Sequence, residues 1–307
     1  MNLAFLISAH TDPLHLERLI NSLPGDAEFF IHIDKKSNLS QFTSLISGEN
    51  IHFIGKRINV RWGTINEVDY QMNLIEAAIM HVKHFDRIFF LSGLDYPIWS
   101  NGHLLSYLEE NSGKEILIGI PLIEGLIGKG QFDTYSIIRP FINIPLIGNA
   151  LNQKLSIASR IILKALGFRK ALHFNISGKC WPIYKGGAWW CISEELARHV
   201  FDTYVQHPAI RRYFKHQFCP AETLIQTVAF NSPEYKDKCC LFYTPYQSLS
   251  LLTPLHYIDY GKQVKILTEE DFDKIMNSGK AFARKFKTGD SDRLMDMIDS
   301  YRTVGCR

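Results

Sequence analysis

Glu222 stands two residues after Pro220, in Cys219-Pro-Ala-Glu222-Thr, where a helix is predicted to begin beyond a loop. A carboxylate there can be aimed into a cleft as a general base, or can act as an acid in the first turn, where the helix dipole favours it. Arg284 and Lys285 sit side by side between Phe282 and Phe286. A planar guanidinium fork beside a compact ammonium suits an oxygen-rich anion; a solvated basic turn is the alternative. Asp34, in His32-Ile-Asp34-Lys-Lys-Ser37, can accept from a hydroxyl or an imide, or can close a turn. Trp189 and Trp190 offer a flat apolar surface to the C–H faces of a sugar, but on a strand only one of the two can face a cleft, and core packing competes for the other. Asp95, in Ser92-Gly-Leu-Asp95-Tyr96-Pro97, is a lone carboxylate, and a hard cation wants more oxygens than that. Asp271-Phe-Asp273 and Asp290-Ser-Asp292 have the two-carboxylate spacing but lie in a charged C-terminal region, as solvated acids.

The elements that must position these groups follow from the hydrophobic pattern. Leu3–Ile7 is a short apolar run, Leu14, Leu16, Leu19, Ile20 and Leu23 recur at near-helical spacing, and Phe29–Ile33 is a second run, which together make a βαβ unit. A run at Ile51–Ile54, an amphipathic helix from Glu67 to Lys83 and a run at Ile88–Leu91 continue the alternation that builds a parallel sheet. In such a sheet ligands bind beyond the carboxyl ends of the strands, which directs attention to His10, Asp34, Trp62 with Gly63, and the Ser92–Pro97 segment. No GxGxxG or GxxxxGK[ST] follows any run, which argues against dinucleotide dehydrogenases and P-loop enzymes.

The later chain is less regular. A basic amphipathic stretch covers 154–172, with Leu155, Ile161, Ile162 and Leu166 on one face near Arg160, Lys164, Arg169 and Lys170. It reads first as a helix packed on the sheet with its basic side in solvent, and second as a peripheral membrane contact. A strand at Trp189–Ile192, a helix over Glu194–Tyr204, a helix after Pro220 and a last helix over Asp292–Tyr301 complete the pattern.

At 307 residues, with 46% hydrophobic and 21% charged residues, the chain has the composition of a globular α/β enzyme and not of a disordered one. A net charge of +3 is too mild for a nucleic-acid binder and suits a small anionic ligand. The six cysteines (Cys180, Cys191, Cys219, Cys239, Cys240 and Cys306) form no CxxC pair or zinc spacing, so reduced thiols in a cytosolic setting are expected. The start runs straight into His10-Thr-Asp12 without a basic lead, unlike a signal peptide, and no window reaches the length of a membrane span.

Seven phrases, in order, resemble the core-2/I-branching β-1,6-N-acetylglucosaminyltransferase and peptide O-xylosyltransferase family. They are Ala4-Phe-Leu-Ile-Ser-Ala-His10, Ile31-His-Ile-Asp34-Lys-Lys-Ser37, Trp62-Gly63, Leu91-Ser-Gly-Leu-Asp95-Tyr-Pro97, Gly187-Ala-Trp-Trp190, Pro220-Ala-Glu222 with Gln226-Thr227, and Phe282-Ala-Arg-Lys-Phe286. The resemblance implies one GT-A domain, Rossmann-like with a mixed, mainly parallel sheet flanked by helices, its first 120 residues serving the nucleotide and 121–307 the acceptor and catalysis. It implies inverting transfer from a UDP-sugar to a glycan or lipid-linked glycan hydroxyl, with no cofactor and no divalent metal. Glu222 becomes the base. Arg284 and Lys285 hold the diphosphate; His10, Asp34, Trp62 and Gly63 line the nucleotide site; Asp95, Tyr96, Trp189 and Trp190 meet the sugar or acceptor.

Two departures matter. His256 stands where the family often has an arginine, a weaker and pH-dependent phosphate partner. Ala188 replaces the acidic residue typical of the xylosyltransferase branch, which favours a larger donor such as UDP-GlcNAc. The expected setting is cytoplasmic, at the inner face of the membrane if the 154–172 stretch touches it. Two rivals stand beside this reading: a metal-dependent nucleotide-sugar hydrolase using His10, His32 and Asp34, and a non-catalytic glycan-binding module.

Overall fold

The computed structural model describes residues 1–123, 132–137, 149–242, 249–261 and 263–304; Cys306 lies outside them. The central sheet has the order β10-β4-β1-β2-β3, from β1 (Leu3–Ala9), β2 (Glu28–Ile33), β3 (Ile51–Phe53), β4 (Arg87–Ser92) and β10 (Cys191–Ile192). Its first four strands run parallel and β10 closes the edge antiparallel. The strands read as continuous apolar runs because both faces are covered. Leu3, Phe5 and Ile7 of β1 pack with α1 (Pro13–Asn21) and, farther along the chain, α4 (Asn101–Glu110). The alternate residues Ala4 and Leu6 pack with α3 (Asn66–Ile79) and α6 (Glu194–Gln206). The remaining helices are the short α2 (Ser40–Thr43), then α5 (Asn149–Ala165), α7 (Pro208–Phe214), α8 (Leu224–Asn231), α9 (Phe272–Met276) and α10 (Asp292–Val304).

Smaller sheets flank the central one. Strand β5 (Asp95–Pro97) leaves β4 by a tight turn and pairs antiparallel with β13 (Phe282–Arg284), which pairs parallel with β12 (His256–Ile258). The register sets Arg284 opposite Asp95. Strand β6 (Ile118–Pro121) lies between β9 (Tyr184–Lys185) and β11 (Cys240–Leu241), and β7 (His173–Ile176) forms a hairpin with β8 (Lys179–Pro182). Three-residue strands such as β5 and β13 are too short for a periodicity signal, which is why the sequence reading passes over them.

The C-terminal segment is tied to the first helix. Asp12 caps α1 through His15 N–H and also accepts from the N–H and hydroxyl of Thr288. Arg18 reaches Asp296 and Asp299 of α10, each at 2.7 Å. Two expected boundaries shift: α3 stops at Ile79 rather than Lys83, and the strand expected over Trp189–Ile192 begins at Cys191.

Helix α5 departs from expectation in orientation. Ile161, Ile162 and Leu166 are exposed, Leu155 is half-buried, and Arg160 and Lys164 are half-buried underneath. The helix was expected to pack its apolar side on the sheet; among the described residues it does the reverse. The five described cysteines are all free thiols.

Candidate active site

A cavity of about 300 Å³ opens beyond the carboxyl ends of β1, β2 and β4. His10, Asp34, Trp62, Trp189, Glu222 and Arg284 line it, together with residues that sequence reasoning missed, notably Lys36, Glu67 and Tyr70. The alternation of apolar strands and polar strand ends pointed to the strand ends where this cavity opens; what it lacked was any signal from α3, whose inward Tyr70 looks like an ordinary core aromatic.

The wall formed by the strand ends is laced by backbone contacts. Asp34 N–H donates to Ala9 O at 2.9 Å, Asp34 Oδ1 accepts from Lys36 N–H at 2.9 Å, and Ser37 hydroxyl donates to His10 O at 2.6 Å. Lys36 Nζ lies 3.4 Å from Asp34 Oδ2. Burial pushes the His10 imidazole below its usual value against the pull of Asp34, with Lys285 and Arg284 adding to the fall. Lys285 itself does not line the cavity, and burial, then Arg284, holds its ammonium below the usual lysine range. The Arg284–Lys285 peptide is cis.

Asp95 is fully buried and is not part of the wall. Its Oδ1 accepts from Arg284 at 3.0 Å; its Oδ2 accepts from Trp189 Nε1 at 3.0 Å and Ser92 N–H at 2.7 Å. Burial alone would raise this carboxyl, but Arg284 and His256 outweigh it and hold it below the carboxylate range. Asp95 therefore fixes Arg284 and Trp189, whose indole lies 5.0 Å under the guanidinium. It was expected to meet sugar or acceptor and instead positions two residues that line the cavity.

His256 was expected at phosphate. It is buried, with Nε2 3.3 Å from Asp95 Oδ2 and its ring stacked on Phe282. Burial drives it toward the neutral form. Tyr96 also turns away from the cavity: its hydroxyl donates to Asp299 at 2.8 Å and meets Ser22 at 2.8 Å on the opposite side of β5. The tryptophan pair divides although neither lies on a strand, with Trp189 at the cavity and Trp190 buried against Phe90 at 5.6 Å.

Glu222 ends a short 3-10 turn, Pro220–Glu222, and its side chain is 18% exposed. The turn is introduced by Cys219 at φ 48, a backbone conformation sparsely used outside glycine and found at functional sites. Cys219 N–H donates to Gly63 O at 3.2 Å. Gly63, at φ 74, gives its own N–H to Glu67 Oε2 at 2.7 Å. Gly63 does not line the cavity; it joins the exposed Trp62 to the Glu222 turn. Lys185, fully buried on β9, forms an ion pair with Glu222 Oε2 and donates to Gly186 O at 2.9 Å. Sequence reasoning passed over Lys185, though a lysine inside the apolar, glycine-rich run Tyr184-Lys-Gly-Gly-Ala-Trp189 is the signal that could have found it.

His32, one residue of the rival hydrolase set, is buried on β2, where its Nε2 accepts from Ile58 N–H at 2.9 Å. Burial lowers it to about 4. Among the described residues, the grouping of three side chains able to hold a metal ion is Glu28, His52 and His81, at the opposite end of β2 from Asp34. Asp271 caps a 3-10 turn and takes Lys265, while Asp273, Asp290 and Asp292 are exposed.

No curated protein matches the chain. Among solved structures, that of 4-diphosphocytidyl-2C-methyl-D-erythritol synthase from Anaerococcus prevotii is 12% identical, with 80% of this chain and 90% of that one covered at a TM-score of 0.36, too slight a likeness to bear on function. The family model for the Core-2/I-Branching enzyme matches residues 3–276, a span that holds Glu222 and His256 and ends before Arg284 and Lys285. The chain therefore belongs to the Core-2/I-Branching enzyme family, a family of glycosyltransferases.

Proposed function

We propose that the enzyme transfers a sugar from a UDP-sugar to a glycan hydroxyl with inversion at the anomeric carbon, on a GT-A fold and without a catalytic metal. The observation that carries this reading is the convergence of Glu222 and Arg284 on one cavity beyond the strand ends, each held by a buried partner of opposite charge. Lys185 holds Glu222 Oε2, leaving Oε1 to receive a proton.

In one displacement, the acceptor oxygen forms a bond to the anomeric carbon from the face opposite UDP. The bond from that carbon to the phosphate oxygen breaks, its electron pair leaving with UDP, and the acceptor proton passes to Glu222. A positioned base contributes about 100- to 10,000-fold. Arg284, with Lys285 beside it, offsets the charge growing on the diphosphate, as a preorganised cation does best in a site shielded from water. Asp34 receives the uracil imide or a ribose hydroxyl, His10 and Trp62 complete the nucleotide wall, and Trp189 gives the sugar a flat apolar surface.

Metal independence is supported by the chemistry of Asp95. It is the carboxylate at the strand end where a cation would be sought, and both its oxygens are spent on Arg284, Trp189 and Ser92. The rival hydrolase loses support because His32 is committed to the backbone. The donor proposed is UDP-GlcNAc, since Ala188 puts no carboxylate on the cavity wall next to Trp189, and β-1,6 transfer is proposed from the family alone. The acceptor is proposed to be a glycan, free or lipid-linked.

A screen of UDP-sugars by saturation-transfer NMR and donor turnover, run with EDTA, tests this reading. UDP-GlcNAc turnover that persists in EDTA is expected. Turnover abolished by the chelator would point to the hydrolase, preference for UDP-xylose would overturn the donor, and absence of any UDP binding would leave a glycan-binding module.

A further inference from the structure

Helix α5 presents its apolar residues to solvent. Leu151, Ile157, Ile161 and Ile162 are exposed, as are Leu166 and Phe168 just past its end. Lys154 is the one charge on that face. The polar residues point the other way: Ser156 is buried, Arg160 lies 4.8 Å over the Phe218 ring, and Lys164 donates to Asp133 at 2.9 Å. A surface helix of a water-exposed protein is arranged oppositely, with its apolar stripe on the core. Ile161 at 63% and Leu166 at 67% exposure form part of a contiguous face, not isolated hydrophobic residues.

The charge around this face identifies what covers it. Residues 149–193 contain seven Lys or Arg and no Asp or Glu. Lys154, Arg169 and Lys179 of that segment are exposed. The neighbouring acid, Asp133, is already taken by Lys164 and lies 3.4 Å from Arg169. A second copy of the chain would bring two basic segments together around the apolar contact, with no acid in either to neutralise them. An anionic lipid surface satisfies both features at once, because apolar side chains enter the headgroup boundary while lysines and arginines meet the negative charge.

We infer that helix α5 docks the enzyme on an anionic lipid bilayer. Phe218 also stands edge-on to Trp62 at 5.7 Å, and Trp62 lines the cavity, so docking through α5 sets the active site beside the membrane surface. This goes beyond the sugar chemistry and does not depend on it.

Vesicle flotation of the full chain, without sugar nucleotide, tests the inference. The protein is expected to float with vesicles of phosphatidylcholine mixed with phosphatidylglycerol and not with phosphatidylcholine alone. The double variant Ile161→Asp/Ile162→Asp, altered only at exposed positions, is expected to lose binding by at least about tenfold, from the apolar burial forgone. Each of Lys154→Glu and Arg169→Glu is expected to weaken it by roughly fivefold or more. Unchanged circular dichroism and UDP affinity in these variants show that the fold and the nucleotide site are spared. The inference is overturned if the wild type stays unbound, if binding ignores lipid charge, if the double variant binds as well as the wild type, or if the wild type sediments as a dimer that the double variant dissociates. None of those results bears on the glycosyltransferase reading, which UDP-sugar turnover tests separately.

Discussion

Single side chains in this enzyme do their work in charged pairs held away from water. Lys185 with Glu222 and Asp95 with Arg284 are the clearest, and in each the buried member fixes the member that lines the cavity. Breaking such a pair costs far more than making it gains, because the remaining charge is left uncompensated. His32 shows the same burial acting on a group with no charged partner in hydrogen-bond reach. Its unfolded form takes up a proton below pH 6.5, whereas in the folded chain it does so only at about 4. Folding stability from this group is therefore complete above pH 6.5 and falls as pH drops through that window, by on the order of 3 kcal/mol in total. Denaturant titrations from pH 7 to 4, paired with an NMR titration of the imidazole, check this; a His32 that titrates near 6.5 in the folded protein would refute it. The resemblance read from the sequence named Glu222, Arg284, Asp34 and Trp189, but it could not say which groups face the cavity. Asp95, Tyr96, Trp190 and His256 carry suitable chemistry and are buried away from the cavity.

Short strands and turns, not the long elements, set the geometry of the site. Strand β9 and the residues after it pass so close to β6 and α8 that Gly186 has no room for a side chain. A Cβ there would lie 2.3 Å from Ile118 O and 2.7 Å from Gln226 Nε2. Gly186 N–H also donates to Glu222 O at 2.8 Å, so this crowding bears directly on the turn that carries Glu222. Gly186→Ala is expected to destabilise the fold by about 1–3 kcal/mol, as overpacking does, and to lower turnover more than UDP affinity. Urea unfolding and calorimetric UDP binding on one preparation would check both, and a fully stable variant would show that the neighbouring backbone yields. The βαβ alternation of the first 92 residues was legible because apolar runs and helical spacing are long enough to register. The pairing of β5 with β13 was not, since three residues carry no period and the two strands lie nearly 190 residues apart in the chain.

Across the whole molecule, the last helix is clasped to the first third. Tyr96, expected to bind acceptor, works in that clasp: its hydroxyl meets Ser22, Arg18 and Asp299. Tyr96→Phe is expected to cost about 1–2 kcal/mol of stability while leaving transfer kinetics unchanged, because partly buried partners lose a hydrogen bond and the cavity loses nothing. A raised acceptor KM at unchanged stability would return Tyr96 to the binding site. Among the described residues no helix is long and apolar enough to cross a membrane, and the apolar face that does exist, on α5, was legible in composition but not in direction, since periodicity marks a stripe without saying which way it turns. Glu222 and Arg284 converge on one cavity, the proposed site of the nucleotide sugar. The most direct test of that convergence is Glu222→Gln, assayed for sugar transfer and for UDP affinity on the same protein. Transfer reduced by about 100-fold or more, with UDP affinity within about twofold of the wild type, is the expected result; near-native transfer by Glu222→Gln would contradict the assignment of the base.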